Sequence, residues 1–243
     1  MTRIGIIGAG GRMGIAIASA IDAHRDASLA GGAGRGDDAA ALARESDALI
    51  DFSTTDALSA NLDAAVAANA PIVIGTTGLG PVHQALIARA AKQVPVLHSA
   101  NMSQGIALLS HLVREAAARL GEDWDIEIVE MHHRHKIDAP SGTALLLGEA
   151  AAAGRGVDLG AVAERGRDGM AGPRTPGDIG FASLRGGSVP GDHQVIFATE
   201  RERIEIGHRA ESRAIFARGA VKAAFWLKDQ PPGLYTMADV LGL

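Results

Sequence analysis

The sequence contains no cysteine. That excludes disulfides, thiolate metal sites and cysteine nucleophiles, and it fits a reducing, cytoplasmic setting. Aromatic residues are scarce as well, at 3% of a chain that is 47% hydrophobic. The core must then be built from Ala, Val, Ile and Leu, which suits helices laid on a parallel sheet. Basic charge is not in excess. The formal net charge is −5, whereas binding to nucleic acid calls for a basic face. No apolar run reaches the roughly 18 residues that mark a membrane span. Met1-Thr2-Arg3 leads directly into Ile4-Gly5-Ile6-Ile7, with no charged-then-apolar leader, so no signal peptide is expected.

What is present is length and rhythm. The 243 residues are comfortable for two domains, each with its own core. Ile4 to Ile7 is a short apolar run, and Gly8-Ala9-Gly10-Gly11-Arg12-Met13-Gly14 follows before a helical stretch from Ile15 to His24. Strand, glycine turn and helix together are the context of a dinucleotide-binding fingerprint. The spacing is Gly8-x-x-Gly11-x-x-Gly14, with Met13 at the last glycine position of the strict pattern. The physics survives this change. Glycines let the backbone approach a pyrophosphate, and the helix start offers N–H groups and the positive end of its dipole. A second strand is expected over Ser28 to Ala33. An acid about 20 residues past the glycines would bind ribose hydroxyls. Here that position is Gly34, and Arg35 follows. A missing acid beside an arginine leans toward a 2′-phosphate, although Asp37 and Asp38 lie close by.

Further strands are expected over Asp47 to Phe52, Ile72 to Ile74 and Val94 to His98. Helices are expected over Asp56 to Asn69, capped from Ser53 to Asp56, and over Pro81 to Lys92. This βα alternation predicts a doubly wound parallel sheet. Ligands bind at the carboxyl ends of such strands, so Phe52, Gly75-Thr76-Thr77 and Ser99-Ala100-Asn101-Met102 should lie along one edge with the glycine loop.

After Asn101 the rhythm changes. A long helix is expected over Gln104 to Leu120 and an alternating strand over Asp125 to Met131. Another helix is expected from Ser141 to Ala153, and a loop of little periodicity from Gly154 to Pro176. Strands are expected over Ile179 to Arg185, Asp192 to Thr199 and Arg203 to His208. A helix over Ser212 to Leu227 should return to the nucleotide half, with Met237 to Leu243 as a tail. The fold class is therefore α/β: a Rossmann-type doubly wound parallel sheet, with an inserted α+β domain carrying a mixed or antiparallel sheet. The expected boundaries are 1–101 plus 214–243 for dinucleotide binding, and 102–213 for substrate and assembly.

The densest chemistry lies in Glu130-Met131-His132-His133-Arg134-His135-Lys136-Ile137-Asp138-Ala139-Pro140-Ser141-Gly142-Thr143. Cations this close should depress one another's charged forms unless a carboxylate intervenes, a useful state for a proton donor near neutral pH. Ser141-Gly142-Thr143 sits at a helix start, whose N–H groups can hold a carboxylate. Together they suggest a small dianionic substrate. Three other readings compete. A metal site would need better ligand spacing than His132-His133-x-His135 on a turn, and none is expected. A nucleic-acid patch would need stacking aromatics. A solvated charged loop would need nothing more.

These motifs, in this order and across nearly the whole chain, resemble the bacterial 4-hydroxy-tetrahydrodipicolinate reductases, also called dihydrodipicolinate reductases. The string His132-His133-x-x-Lys136-x-Asp138-Ala139-Pro140-Ser141-Gly142-Thr143 carries most of the resemblance. It implies a reductase of lysine and diaminopimelate biosynthesis that uses NADH or NADPH on a cyclic dicarboxylate. It also implies that His132 is the proton donor and acceptor, Lys136 a proton donor, and His133, Gly142 and Thr143 the substrate-binding residues. Gly8, Ala9, Gly10, Gly11, Arg12, Met13, Arg35, Phe52, Gly75, Thr76, Thr77, Ser99, Ala100, Asn101 and Met102 match cofactor contacts. Family members are usually homotetramers built through the inserted sheet. Where many members carry an acid before the arginine, this chain has Gly34, so an NADPH preference supported by Arg35 is expected. A redox-sensing regulator and a reductase of another substrate class remain as alternatives. The first would need a partner-binding or DNA-binding module, and the second would not need paired anion-binding elements.

Overall fold

The short apolar runs become strands and the Ala/Leu stretches become helices. In chain order the elements are β1 (Thr2–Ile7), α1 (Arg12–Asp22), β2 (Ala27–Ala33), α2 (Ala39–Arg44), β3 (Ala48–Asp51), α3 (Leu58–Ala67), β4 (Ile72–Ile74), α4 (Pro81–Ala90) and β5 (Pro95–His98). Then come α5 (Gln104–Arg119), β6 (Asp125–His132), α6 (Gly142–Arg155), α7 (Leu159–Val162), β7 (Ala163–Glu164), β8 (Ile179–Arg185), β9 (Asp192–Thr199) and β10 (Glu202–Arg209). The chain closes with α8 (Ala214–Leu227), β11 (Gly233–Tyr235) and α9 (Met237–Leu241). This computed structural model describes residues 1–243 and divides into two units. One is Met1–Gln104 with Arg213–Leu243, and the other is Gly105–Ser212.

In the first unit six strands form one sheet in the order β11-β5-β4-β3-β1-β2, and every pairing is parallel. The central strands β1, β3 and β4, covered on both faces, are mainly apolar: Ile4, Ile6, Leu49, Ile50, Ile72, Val73 and Ile74 are all essentially inaccessible. On one face Ala43 of α2, Leu58 and Leu62 of α3 and Ile87 of α4 pack on Leu49, Ile72 and Val96. On the other, α8 packs against α1 and across β3, β4 and β5. Each such fully buried aliphatic contributes about 1.5–3 kcal/mol. Strand order reverses between β1 and β3. A parallel sheet opens its ligand crevice at such a switch point, outside the carboxyl ends of the strands.

The second unit is a mixed five-stranded sheet, β10-β9-β6-β8-β7. β6 runs parallel to β8 and antiparallel to β9. Strict alternation governs β6, with Ile126, Ile128, Glu130 and His132 inward. Its core joins Ile106, Leu109 and Val113 of α5 and Leu147 and Ala151 of α6 to Val195 and Phe197 of β9.

Two expectations need correction. The region from Gly154 to Pro176 is not only loop: it holds α7 and β7, and β7 extends the sheet beside β8. Leu159 of α7 packs into the core, and long-range arginine contacts hold the stretch after β7. Arg174 Nε donates to Glu127 Oε1 at 2.9 Å and Arg174 Nη1 to Asp125 Oδ1 at 2.9 Å, while Arg167 Nη2 reaches Glu127 Oε1 at 2.9 Å. The terminal stretch is not a plain tail either, since β11 adds an edge strand to β5 and α9 follows it. One cap also differs. The chain after β3 enters a 3₁₀ turn at Thr55–Ala57, and neither Thr54 nor Ala57 supplies a side-chain cap.

Candidate active site

The glycine loop follows β1 at the switch point. Gly8 has φ +84°, and a Cβ there would lie 2.5 Å from Phe52 O. Only glycine is compatible with that conformation and that approach. A Cβ on Gly14 would lie 2.4 Å from Gly8 O, so this glycine lets α1 close onto the loop. Gly10 has open space around it. Gly11 is the N-cap of α1, with no side-chain cap and no acid in the first turn. The helix start therefore keeps its donors and its positive dipole end for an anion, and a dinucleotide pyrophosphate fits it.

Beside this loop a cavity of about 1290 Å³ runs past Phe52 and Ser53 to Gly34, Arg35 and α3. Arg35 is exposed. The two nearby acids are engaged. Gly34 N–H donates to Asp37 Oδ2 at 2.8 Å, and Asp38 caps α2 by accepting from Ala40 and Ala41 N–H at 2.9 and 3.0 Å. Below the loops, Asp51 is fully buried. Its Oδ1 accepts from Ser53 N–H at 2.8 Å and Thr76 Oγ1 at 3.4 Å, and its Oδ2 from Asn61 Nδ2 at 2.9 Å. It thereby ties the loop after β3 to the loop after β4.

All the residues expected to hold cofactor lie in this unit, at carboxyl ends of its strands. They do not all present side chains. Thr76 turns its hydroxyl to Asp51. Met102 is 2% exposed, with its carbonyl against Gly219 of α8, so only a main-chain contact is open to it. The Phe52 ring lies directly over Gly75, where a Cβ would meet it at 2.2 Å. Ser99 Oγ donates to Asn101 O at 2.7 Å, and Asn101 Oδ1 accepts from Ser103 N–H at 2.9 Å, which fixes the turn into α5.

In the second unit the dense stretch hangs from the end of β6. His132 is 8% exposed and Glu130, two residues earlier on the same face, is 1% exposed. His132 Nδ1 lies 2.5 Å from Glu130 Oε2. Arg185, at the end of β8, donates Nη1 to Glu130 Oε2 and Nη2 to Glu130 Oε1, both at 2.8 Å. Burial alone would raise the Glu130 carboxyl, but hydrogen bonds from Arg185, His132 and Ser183 outweigh it and hold the group at about 2. Lys136 Nζ donates to Asp138 Oδ1 and Oδ2 at 2.7 and 2.9 Å, and that bond holds the Asp138 carboxyl below its ordinary range. Carboxylates thus stand beside two of the five cations of the cluster, Glu130 at His132 and Asp138 at Lys136. Arg134 and His135 are exposed and are not drawn in. His133 is half-buried, and its N–H donates to Val189 O at 2.8 Å.

The turn after Asp138 delivers the start of α6. Ser141 is its N-cap, accepting from Ala144 N–H at 3.1 Å, while Ser141 N–H donates to Glu130 Oε1 at 3.2 Å. The first turn carries no acid, and a Cβ on Gly142 would meet nothing within 4 Å. The helix start therefore faces open space and can receive a carboxylate. Ser141 Oγ also lies 3.0 Å from His193 Nε2. Burial first, then the neighbouring His132, pushes the His193 imidazole down to about 4, so it is neutral near pH 7.

Reasoning from sequence assigned no role to Glu130, Arg185 or His193. A signal existed for two of them. Period-two alternation places Glu130 on the face of Ile126 and Ile128, and His193 on the face of Val195 and Phe197, so each is a polar residue aimed at a core. Arg185 had no such signal, because only the parallel register opposes it to His132.

Residues 2–102 match the family described as dihydrodipicolinate reductase, N-terminus, and residues 105–241 match dihydrodipicolinate reductase, C-terminus. A 4-hydroxy-tetrahydrodipicolinate reductase of Zymomonas mobilis is 59% identical, over 99% of this chain and 97% of its own length. One of Caulobacter vibrioides is 50% identical over the same shares. Among solved structures, a dipicolinate-bound dihydrodipicolinate reductase from Paenisporosarcina sp. TG-14 aligns with TM-score 0.76 at 22% identity, covering 97% of each chain. A probable dehydrogenase from Thermotoga maritima aligns with TM-score 0.63 at 15% identity, covering 98% of this chain and 92% of its own. These two establish likeness of fold.

Proposed function

The chain belongs to the dihydrodipicolinate reductase family, and from that premise we propose how its site works. It is an NAD(P)H-dependent oxidoreductase that reduces 4-hydroxy-tetrahydrodipicolinate to tetrahydrodipicolinate with loss of water, in lysine and diaminopimelate biosynthesis. The bound dinucleotide supplies the hydride. The protein's share is to bind two carboxylates, hold the ring and move protons.

The observation that carries this reading is the pairing, within one unit, of a proton-handling cluster with an open helix start. Gly142 and Thr143 hold one substrate carboxylate at the start of α6, and His133 contributes to binding. His132 and Lys136 exchange protons with the ring as the hydride arrives and water leaves. Removing such a positioned donor costs on the order of 10²–10⁴-fold in rate. In the first unit Gly8, Ala9, Gly10, Gly11, Arg12 and Met13 cradle the pyrophosphate, and the loops ending in Phe52, Thr77 and Met102 line the rest of the crevice. The decisive assay follows NADPH oxidation with the product of the coupled synthase as substrate. Pyridine-2,6-dicarboxylate, a stable mimic of the ring, should inhibit competitively. If it neither binds nor inhibits, the dicarboxylate reading fails.

NADPH is the preferred cofactor in this proposal. Asp37 and Asp38 are engaged in the loop's own hydrogen bonds, which leaves Arg35 as the charge offered to a 2′-phosphate. Arg35→Ala should lower kcat/KM for NADPH far more than for NADH. An unchanged ratio would refute the preference. We also propose a cytoplasmic homotetramer assembled through the second sheet. No helix is long and apolar enough to cross a membrane. The sheet face turned away from α6 presents Val129, Met131, Leu184 and Ile196, with Leu184 half exposed. Light scattering on Leu184→Glu tests this: the variant should dissociate, and a retained tetramer would argue against this face.

A further inference from the structure

We propose that Glu130, clamped by Arg185, is the positioning residue that fixes His132 with its Nδ1 hydrogen turned inward and its Nε2 left free for the substrate. The inference rests on the reading that His132 exchanges protons with the ring, and it adds what sets that imidazole's orientation.

An imidazole can carry its single hydrogen on either nitrogen, and the partner of one nitrogen decides the state of the other. Here the partner is a carboxylate saturated with donors. Arg185 binds both oxygens of Glu130 at 2.8 Å. Ser141 N–H adds a contact at 3.2 Å, and the Ser183 hydroxyl adds another. Held as an anion, Glu130 can only accept. The 2.5 Å contact to His132 Nδ1 therefore requires the hydrogen on Nδ1. Whether the ring is neutral or cationic, the proton that comes and goes is on Nε2. The opposite side of the ring is kept open in a specific way. Gly191 has φ +153°, and a Cβ there would stand 2.9 Å from His132 Nε2. Any other residue at that position would crowd the nitrogen that must meet substrate.

The groups around the ring support this assignment. From β6 comes Glu130, and from β8 comes Arg185, whose charge is spent on Glu130. From β9 comes His193, edge-on with ring centroids 5.1 Å apart and neutral near pH 7. His208 of β10 is paired with His193 in register. From the turn come Lys136 and Asp138, bonded to each other, and from the start of α6 comes Ser141. Glu130 is the one carboxylate bonded to the ring.

The competing role for Glu130 is that of a mere clamp joining β6, β8 and α6. The substitution Glu130→Gln separates the two roles. A glutamine fills the same space and can still accept from Arg185, but its amide can donate to Nδ1 and let the hydrogen sit on Nε2. The first readout is ¹⁵N NMR of the imidazole nitrogens in the whole protein, without substrate. Wild type should show His132 protonated on Nδ1, and Glu130→Gln should show a shift toward the other tautomer. The second readout is kinetic. In Glu130→Gln, kcat should fall about 10²-fold with KM within about threefold, and the alkaline limb of kcat should move to lower pH. Glu130→Asp, which keeps the charge, should restore the position of that limb in part. Should Glu130→Gln fail to fold, the wild-type spectrum and Glu130→Asp decide. A wild-type ring with hydrogen on Nε2 and none on Nδ1, or an unchanged tautomer and pH profile in Glu130→Gln, would overturn the proposal. The spectra need no turnover, so failure of the reductase reading itself would appear separately, as an inactive wild type.

Discussion

Arg185 is the position at which the stability of the second unit and the state of its site can be perturbed together, and Arg185→Gln makes a quantitative case. The Glu130 carboxyl is held at about 2 against an ordinary 4.5, a difference of 2.5. At about 1.4 kcal/mol per pH unit this amounts to about 3 kcal/mol favouring the anion in the folded chain. The folded value is depressed, so this stability is fully present above about 4.5 and is lost as pH falls through about 2. Arg185 supplies a fixed positive charge on both carboxylate oxygens, at 2.8 Å each, but is itself 22% exposed. Its removal should thus cost most of that sum, about 2–3 kcal/mol at pH 7. Two further bonds are lost, to Asp138 O at 2.7 Å and Leu184 O at 2.6 Å. Together they contribute roughly 1 kcal/mol or more that does not depend on pH. The expected curve is therefore a difference between wild type and variant that is large at pH 7, about halved near pH 3 and reduced to the pH-independent part near pH 2. Urea unfolding followed by tryptophan fluorescence can measure it, because the only two tryptophans fall in different units. In a Trp226→Phe background the signal comes from Trp124 alone. A difference of the same size at every pH would show that Arg185 acts merely as a strut and that Glu130 does not depend on it for its charge.

Three other outcomes are expected. Lys136→Ala should lower kcat by on the order of 10²–10⁴-fold with an unchanged circular dichroism spectrum; a variant with normal kcat would remove Lys136 from the chemistry. His193 is buried and held at about 4 against 6.5, so unfolding takes up a proton throughout that interval. Stability should therefore decline as pH falls from about 6.5 to about 4, by about 3 kcal/mol. His193→Gln should flatten that slope, although His98 and His208, also lowered by burial, will leave some of it. Finally, Gly219→Ala should destabilise the first unit in thermal denaturation despite alanine's better helix propensity. A Cβ there would stand 1.8 Å from Met102 O, a backbone atom that cannot step aside. A raised melting temperature would contradict that packing.

Local periodicity explains how much could be read beforehand. Ile72–Ile74 and Ile179–Arg185 have the strand boundaries expected of them, because turn residues bound each apolar run. Ser141 was legible as the start of a helix, since a small hydroxyl residue before an Ala/Leu run is an N-terminal signal. α7 and β7 were not legible. They are held by Leu159, Val162 and Ala163 packing on the core and by β7 pairing with β8, while Arg167 and Arg174 tie the stretch that follows to residues some 40 to 49 positions earlier, and no local pattern encodes such partners. The strand near the C-terminus is hidden in the sequence for a related reason: β11 is only three residues long and is a strand because β5 offers an open edge.

The same limit applied within the site and shaped what could be inferred about it. The cluster His132 to Lys136 looked like five cations with one shared field. Folded, it separates by reach. Arg134 and His135 point to water, Lys136 turns to Asp138, and His132 turns back along its own strand to Glu130. Only that last contact was implicit in the alternation of β6. What makes Glu130 a stable anion comes from β8, fifty-five residues away in sequence. A buried carboxylate without that arginine would tend to take up a proton, and could then donate to His132 as readily as accept from it. The orientation of the imidazole is thus decided by a tertiary pairing that the motif itself does not contain. A chain with the whole His-His-x-x-Lys string intact but no cation opposite Glu130 should bind the dicarboxylate at the start of α6 and turn it over poorly.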